Sequence, residues 1–261
     1  MGVLNVTPDS FSDGGLWFQT GNAVVHARRM VDQGAAIIDV GGESTRPGAE
    51  PVAEDEELRR VIPVIEALAE LDVPISIDTR KATVARRAVD AGASIVNDTL
   101  GEEGDGSIDR VAAETGAAIA VMHSRGTPLT MKGLNQYGDV VAEVSTFLRD
   151  RAASLRDMGV ASDAIVVDPG FGFAKDPGQN LEMLRRMDAF VELGYPVLAG
   201  TSRKSFIGQA LDLPEDQRLE GTIATVIWAV AKGARMVRVH DVEEVGRALK
   251  MVEAIEHGLD G

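Results

Sequence analysis

The stretch Ile165-Val166-Val167-Asp168-Pro169-Gly170 contains the pattern that decides the fold, an apolar run that stops at a carboxylate and a glycine. Eight short apolar runs occur along the chain, and a stretch with helical periodicity follows most of them. Continuous Val/Ile/Leu runs are typical of parallel strands buried on both faces. The runs are Val3–Val6, Ile37–Val40, Ile75–Ile77, Ile95–Val96, Ala118–Met122, Ile165–Val167, Pro196–Ala199 and Met236–Val239.

Eight strand–helix units predict an α/β protein with a closed (β/α)8 barrel, the TIM barrel. Repeated units of this kind also build open, doubly wound sheets. The count of eight, with no unit split by a long insertion, favours the barrel. Because neither a linker nor a change in composition interrupts the sequence, we predict a single domain over residues 1–261.

Helical periodicity and glycine stops predict where the helices lie. A glycine follows the last apolar turn of most helical stretches, as at Gly34, Gly92 and Gly159, and glycine is the residue that most often ends a helix. The predicted helices are Asn22–Gln33, Glu54–Leu71, Lys81–Ala91, Ser107–Thr115, Asp139–Met158, Asn180–Leu193, a broken stretch from Lys204 to Lys232, and Val242–His257.

Composition excludes several classes of protein. The net charge of −15 argues against a surface for nucleic acid or anionic membrane, which bind through Lys and Arg clusters. The absence of cysteine excludes disulfides, thiol nucleophiles and cysteine-bound metal sites. No apolar run reaches the roughly 18 residues of a spanning helix. No basic segment precedes an apolar run as in a secretory signal. We therefore predict a soluble, cytoplasmic protein.

Acidic and amide side chains end three of the predicted strands. Asp78, Asn97, Asp98 and Asp168 would meet at the carboxyl ends of the strands, where barrel enzymes have their active sites. Carboxylates there could bind a metal, or accept paired N–H groups from a flat heterocycle such as a 2-amino-4-oxo-pyrimidine. They could also cap the following helices. We favour the heterocycle for Asp78 and Asp168, and the capping role for Asp98.

A cationic group follows the last two strands. Arg238 and His240 are two residues apart, so their side chains leave the same face of a strand, and Lys204 follows the seventh strand. Loops after strands seven and eight often bind phosphate in barrels, so we favour an anion site. The alternatives are a satisfied ion pair for Arg238 and a packed polar role for His240. Arg203 could equally be structural.

Long, glycine-rich loops follow several strands and contain few aromatic residues. Phe11, Phe171 and Phe173 lie in them and could form a wall for an aryl ligand, although single half-packed Phe residues are common. None of the glycine clusters matches a Walker or Rossmann phosphate motif. His123 ends the fifth strand, where facing the barrel mouth and packing are equally compatible with the sequence.

Two long motifs near the N-terminus resemble those of a known enzyme family. They are Gly2–Gly15, GVLNVTPDSFSDGG, and Asp39–Gly48, DVGGESTRPG. Shorter matching motifs continue along the whole chain: Ser76–Thr79, Asn97-Asp98, Met122-His123, Asp168–Lys175, Ser202–Ser205 and Arg238–Asp241. Together these motifs closely resemble those of the dihydropteroate synthases.

The resemblance implies an enzyme that joins 6-hydroxymethyl-7,8-dihydropterin diphosphate to p-aminobenzoate and releases diphosphate. It implies Asn5 as the protein ligand of Mg²⁺, and a homodimer. The catalytic residues that it implies are Asp78, Asp168, Lys204, Arg238 and His240. For the pterin it implies Asp78, Asn97, Met122, Asp168, Lys204 and Arg238, and for the diphosphate Arg238 and His240. For p-aminobenzoate it implies Phe11, Thr45, Arg46, Pro47, Phe173, Lys204 and Ser205.

The predicted residues suit this chemistry. Displacement of diphosphate from a CH₂ group needs a stabilised leaving group, which Mg²⁺, Arg238 and His240 would provide electrostatically. The resemblance implies a carbocation-like pterin, whose charge Asp78 and Asp168 would favour. Because the aryl amine is already a nucleophile, no catalytic triad is needed.

Two other functions compete with this prediction. A methyltransferase that uses methyltetrahydrofolate would share the pterin-binding strand ends, but would not need the first two loop motifs. A synthase-like protein that binds pterin without turnover would retain all of these residues.

Overall fold

The computed structural model describes residues 1–7 and 16–258, except for the side chains of residues 16–19. Within these residues the strands are short and parallel, and each is followed along the chain by helical structure. They are β1 (Gly2–Asn5), β2 (Ile38–Gly41), β3 (Ile75–Thr79), β4 (Ile95–Asp98), β5 (Ala118–Met122), β6 (Ile165–Asp168), β7 (Leu198–Ala199) and β8 (Met236–Val237).

The strands close into a barrel. Strands β1 to β6 pair in chain order, and β7 pairs with β8. Single bridges then join Val167 to Val197 and Gly2 to Val239, which link β6 to β7 and β8 back to β1. At the second junction the amide of Val3 donates to the carbonyl of Val239 over 3.0 Å. The predicted (β/α)8 barrel is therefore confirmed.

The helices follow the predicted periodicity, and α4 and α10 have the predicted bounds. Helix α1 begins at Leu16, before the predicted Asn22, and the stretch Asn180–Leu193, predicted as one helix, is divided into two. The stretch Lys204–Lys232, predicted as broken, also contains two helices. The second stretch breaks at Asp212, whose φ of 56° ends α8, and Pro214 follows. The helices are α1 (Leu16–Asp32), α2 (Glu54–Leu68), α3 (Ala82–Asp90), α4 (Ser107–Thr115), α5 (Val140–Asp157), α6 (Pro177–Arg185), α7 (Asp188–Val191), α8 (Ser205–Leu211), α9 (Leu219–Ala231) and α10 (Val242–His257). None of these helices has the length and apolar character needed to span a membrane.

Alternation along the strands divides the barrel into two environments. Leu4, Val40 and Ile77 belong to the large apolar core that includes residues of the surrounding helices. The alternate positions face the barrel interior, where Ala120, Val166 and Leu198 form a second, small apolar cluster. Towards the carboxyl ends of the strands the interior positions become polar, which places the candidate site there.

Candidate active site

The predicted acceptor residues occupy neighbouring interior positions on adjacent strands. Asp78 is the register partner of Asn97, and Met122 is the register partner of Asp168. All four side chains are buried, with exposed fractions from 2% to 7%. The structure thus brings the predicted pterin residues of β3 to β6 together around one concave end of the barrel.

Arg238 is held by two carboxylates in the barrel interior. Its Nε donates to Asp39 Oδ2 over 2.6 Å, and its Nη2 donates to Asp78 Oδ2 over 2.8 Å. The ion pair that the sequence left as an alternative is therefore present. Nη1 makes no hydrogen bond with the described residues and one fifth of the Arg238 side chain is exposed, so the guanidinium can still contact a ligand.

Asp39 and Asp78, the two partners of Arg238, also accept hydrogen bonds from residues at the end of β4. Asn97 Nδ2 donates to the same Oδ2 atom of Asp39 over 3.1 Å, while Thr99 Oγ1 donates to Asp78 Oδ1 over 3.2 Å. The Oδ1 atoms of Asp39 and Asn97 are buried and have no partner among the described residues. Buried polar atoms normally pair with protein or ordered water, so these atoms mark the floor of a polar ligand site.

The acidic and basic groups at the mouth have shifted pKa values. Burial raises the pKa of Asp168 to about 6, although the bond from the Gly170 amide (2.7 Å) and the Lys204 charge oppose this shift. Burial also raises the pKa of Asp78, while Arg238 opposes it. Burial and repulsion by Arg238 lower the pKa of Lys204 to about 8. A bound ligand can therefore change the protonation of these carboxyl and amine groups.

Lys204 and Phe173 form one wall of the mouth. The ammonium of Lys204, which precedes α8, lies 4.1 Å from the centre of the Phe173 ring. Ser205 follows at the first turn of α8 and is exposed. This wall offers an aromatic face, a cation and a hydroxyl to one ligand.

His240 lies partly buried at the mouth, where its surroundings favour the neutral imidazole in the absence of a bound anion. Burial lowers its pKa to about 4, and the charges of Arg238 and Arg203 act in the same direction. Its Nδ1 lies 3.0 Å from the hydroxyl of Ser202, which also accepts the His240 amide. Without a bound anion, Arg238 and Lys204 therefore provide the positive charge at this end of the barrel.

We expect the His240 imidazole to stay neutral when the free protein is brought from about pH 8 to about pH 6. An ordinary histidine titrates near pH 6.5, so its ring signals would move in this range. The measurement is an NMR titration of the histidine side chains, with His240→Asn for assignment. Binding of inorganic diphosphate should raise this pKa, and a midpoint near 6.5 in the free protein would contradict the burial argument.

Asn5 ends β1 with an amide side chain that suits a divalent cation. The residue is half-buried beside the Gly41 and Asp78 positions, and its side chain makes no hydrogen bond with the described residues. Mg²⁺ prefers oxygen ligands and usually keeps several water or phosphate ligands. Within the described residues, no group of three acidic or histidine side chains is placed to hold a metal. One amide oxygen combined with substrate phosphates therefore fits Mg²⁺.

The loop after β2 is fixed at its base and extends over the surface. Glu43 Oε2 accepts the Val52 amide over 2.9 Å and Lys81 Nζ over 2.6 Å, which connects the two ends of the loop. Further along, Arg46 forms an exposed ion pair of 2.7 Å with Glu215. Thr45 is half-buried, and Arg46 and Pro47 are exposed. The predicted contact at Phe11 lies outside the described residues.

Two surface clefts of about 390 and 420 Å³ lie elsewhere on the protein. The first is lined by residues of α1 and α10, including Arg29 and Arg247. The second is lined by Arg125 and residues of α5 such as Phe147. Neither contains any predicted site residue, so the chemistry of the mouth, rather than the size of a cleft, identifies the candidate site.

The chain is similar to known proteins over most of its length. The pterin binding enzyme family matches residues 1–240. A dihydropteroate synthase of Bacillus subtilis is 50% identical over 98% of this chain and 87% of that protein. A Clostridium difficile dihydropteroate synthase, solved in the presence of pteroic acid, is 49% identical with a TM-score of 0.91, covering 98% of this chain and 95% of that one. A Xanthomonas albilineans synthase with 4-aminobenzoic acid is 42% identical with a TM-score of 0.91, over 98% and 92% of the two chains.

The chain belongs to the dihydropteroate synthase family. The family resemblance of the sequence motifs is thus confirmed, and with it the assignment of the chain as a transferase.

Three residues near the barrel mouth pair or pack with other residues of the protein. Asp98 accepts the Leu100 amide (2.9 Å) and pairs with Arg151 (3.0 Å), so its contacts are structural, but it is not the N-cap of the following helical segment. His123 is fully buried against Phe147, so packing is the role that the structure gives it. Arg203, which the sequence left open, pairs with Asp241 through two hydrogen bonds.

Two buried charged residues beside the mouth were missed by the sequence interpretation. Asp39 lies inside the predicted apolar run Ile37–Val40, and its side chain is fully buried. A charge within an otherwise apolar strand was a signal that could have identified it. Lys175 ends the motif Asp168–Lys175 and is also buried, but nothing in the motif indicates where its side chain points.

Proposed function

We propose that this chain joins 6-hydroxymethyl-7,8-dihydropterin diphosphate to p-aminobenzoate at the barrel mouth, forming 7,8-dihydropteroate and diphosphate in folate biosynthesis. The observation that carries this proposal is the group of buried acceptors Asp78, Asn97 and Asp168 beside Arg238 and Lys204. Related synthases that were solved with pteroic acid and 4-aminobenzoic acid support it.

The pterin ring would lie among the buried acceptors. Adjacent N–H groups of its amino-pyrimidine edge can donate to Asp168, whose Oδ2 makes no hydrogen bond with the described residues. Asn97 Oδ1, which is buried and has no partner in the part of the chain that the structure describes, offers a further acceptor. Asp78 and Lys204 would contact the same ring, and Met122, which is 3% exposed, would pack against it.

The diphosphate would lie towards Arg238 and His240. Nη1 of Arg238 can donate to a phosphate oxygen while its other nitrogens hold Asp39 and Asp78. A bound dianion would favour the protonated form of His240 and raise its pKa. Asn5 would hold Mg²⁺ together with phosphate oxygens and water, and the ion would neutralise charge on the leaving diphosphate.

The reaction then needs stabilisation of charge more than a strong base. The bond between the pterin CH₂ group and the diphosphate oxygen breaks, and its electron pair leaves with the diphosphate. Asp78 and Asp168 favour the positive charge that develops on the pterin, while Arg238 favours the departing anion. The amine of p-aminobenzoate forms the new C–N bond and loses one proton, which passes to the released diphosphate or to solvent.

The second substrate would occupy the wall formed by Phe173, Lys204 and Ser205. Phe173 offers an aromatic face, and the Lys204 cation is 4.1 Å from that ring. The loop at Thr45, Arg46 and Pro47, together with Phe11, would complete this pocket. The single domain over residues 1–261, the homodimer and the cytoplasmic location stay predictions.

One assay tests the proposed function against its alternatives. We expect the protein, incubated with the dihydropterin diphosphate, Mg²⁺ and p-aminobenzoate, to form dihydropteroate and diphosphate in equal amounts, because all three acceptors and both cations converge at the mouth. Chromatography of the product and a diphosphate assay measure both. Pterin binding without product would indicate a non-catalytic protein, and methyl transfer from methyltetrahydrofolate to a corrinoid protein would indicate the methyltransferase.

A further inference from the structure

Lys175 is a buried lysine that bonds to the backbone of the loop after β6. The residue is only 8% exposed, and lysine is rarely buried unless it is paired. Its Nζ lies 2.9 Å from the Phe173 carbonyl, 3.0 Å from the Gly170 carbonyl and 3.3 Å from the His123 carbonyl. Burial lowers the pKa of Lys175 to about 7, whereas Asp168 and the carbonyl acceptors favour the charged form.

The fourth contact of Lys175 assigns the tautomer of His123. Nζ lies 3.0 Å from His123 Nδ1, and an ammonium has donors but no acceptor. A charged Lys175 has three N–H groups for these four acceptors, so at least one is shared. When Lys175 is charged, Nδ1 can only accept, and the ring is then neutral with its proton on Nε2. That atom lies 3.4 Å from Glu102 Oε1 but forms no hydrogen bond with the described residues. Burial and the Lys175 charge lower the pKa of His123 to about 2, in agreement with a neutral ring.

The loop that Lys175 holds has an unusual backbone and presents residues of the proposed site. Gly170 has a φ of 71°, and a Cβ at this position would lie 1.9 Å from the His123 carbonyl oxygen. Ala174 has a φ of 50°, which an alanine adopts only at a cost of about 1 kcal/mol or more. Such backbone persists only when surrounding contacts fix it, and the three carbonyl bonds to Lys175 are contacts of this kind.

The two loop carbonyls that accept from Lys175 belong to residues that also contact side chains of the proposed site. The Gly170 amide donates to Asp168 Oδ1 over 2.7 Å, while the carbonyl of the same residue accepts from Lys175. The Phe173 carbonyl accepts from Lys175, and the ring of Phe173 lies against Lys204. The Lys175 ammonium is therefore connected to both the pterin side and the aryl side of the mouth.

We propose that Lys175 is a positioning residue that fixes the Asp168 carboxylate and the Phe173 ring in the geometry that binds the two substrates. This inference rests on the proposed function, because it assigns one substrate to each of these side chains. Lys175 touches neither substrate and acts through the loop backbone. His123 is its fixed partner at the end of β5, with the proton on Nε2.

The test compares Lys175→Met with Lys250→Met. Methionine keeps the apolar volume and removes the donors, and Lys250 is an exposed residue of α10 at which the same charge is lost. We expect Lys175→Met to raise the KM for both substrates, and the Kd for pterin, by about tenfold to a hundredfold, since small misplacements of binding groups have effects of this size. Lys250→Met should match the unaltered protein. A merely structural role would lower the fraction of folded, active protein and leave both KM values unchanged.

The outcomes separate this inference from the proposed function. Equal KM values for Lys175→Met and the unaltered enzyme would overturn the positioning role and leave the function intact. If the unaltered protein forms no dihydropteroate, the proposed function fails, and the pterin Kd of the variants still tests Lys175. If Lys175→Met does not fold, ¹⁵N NMR of the unaltered protein decides, because it contains only four histidines. A His123 ring protonated on Nδ1 would overturn the proposal.

Discussion

Replacement of Arg238 by methionine is expected to lower the free energy of unfolding by about 3–5 kcal/mol, the usual cost of removing one partner of a buried ion pair. Arg238 neutralises Asp39 and Asp78, which are 0% and 7% exposed, through bonds of 2.6 and 2.8 Å. Without it, two carboxylates would share the barrel interior with no cation bonded to them. The variant should also lose binding of the dihydropterin diphosphate. Urea unfolding and calorimetric titration measure the two effects.

A second substitution separates the structural from the ligand-binding role of Arg238. Adding Asp39→Asn removes one of the uncompensated charges, so the double variant should regain part of the lost stability but none of the diphosphate affinity. Arg247→Met is the control, because the Arg247 pair with Glu243 on α10 is exposed and should contribute less than about 1 kcal/mol. Similar unfolding free energies for Arg238→Met and Arg247→Met would show that the interior cluster is not a strong interaction.

The barrel and the order of its functional residues could be predicted because both depend on local patterns. A buried parallel strand is apolar over its whole length, so the polar residue that ends it is conspicuous. Asp78, Asn97 and Asp168 each follow such a run, and the structure places all three in buried positions at the carboxyl ends of β3, β4 and β6. Their convergence follows from the topology, since all parallel strands of a barrel end on the same side.

The pairing of these residues could not be predicted, because it depends on barrel closure. Asp39 and Arg238 are 199 residues apart, and they meet only because β8 lies beside β1. Residue type alone left Arg238 as either an anion-binding group or an interior ion pair, and the structure gives it bonds to two carboxylates. The lowered pKa of His240 also depends on the folded structure, because burial and the nearby charges of Arg238 and Arg203 disfavour its protonated form.

Replacement of Asp168 by asparagine is expected to weaken pterin binding about tenfold to a hundredfold, without loss of stability. The lost interaction is a charge-assisted hydrogen bond to ring N–H groups, worth about 1.5–3 kcal/mol. An asparagine oxygen can still accept the Gly170 amide, which now bonds to Oδ1 over 2.7 Å. Calorimetric titration with a pterin measures the affinity, and urea unfolding measures the stability.

The stability of this variant should differ from that of the unaltered protein in a pH-dependent way. Burial raises the pKa of Asp168 from 3.8 to about 6, so the folded protein binds this proton more tightly than the unfolded chain does. The free energy of unfolding of the unaltered protein therefore falls as the pH rises between those two values. Asparagine does not titrate, so Asp168→Asn should gain stability relative to the unaltered protein as the pH rises through this range.

Asp163→Asn provides the matched control for Asp168→Asn. Asp163 is exposed in the turn that precedes β6, so the same change is made at the opposite end of one strand. It should alter neither pterin affinity nor the pH dependence of stability. If Asp168→Asn binds pterin more weakly and is equally or more stable, the carboxylate of Asp168 serves ligand binding. If the carboxylate were needed for the fold, the variant would lose both binding and stability. If Asp168→Asn bound pterin as tightly as Asp163→Asn does, the acceptor role of Asp168 would be wrong, and Asp78 and Asn97 would have to hold the ring alone.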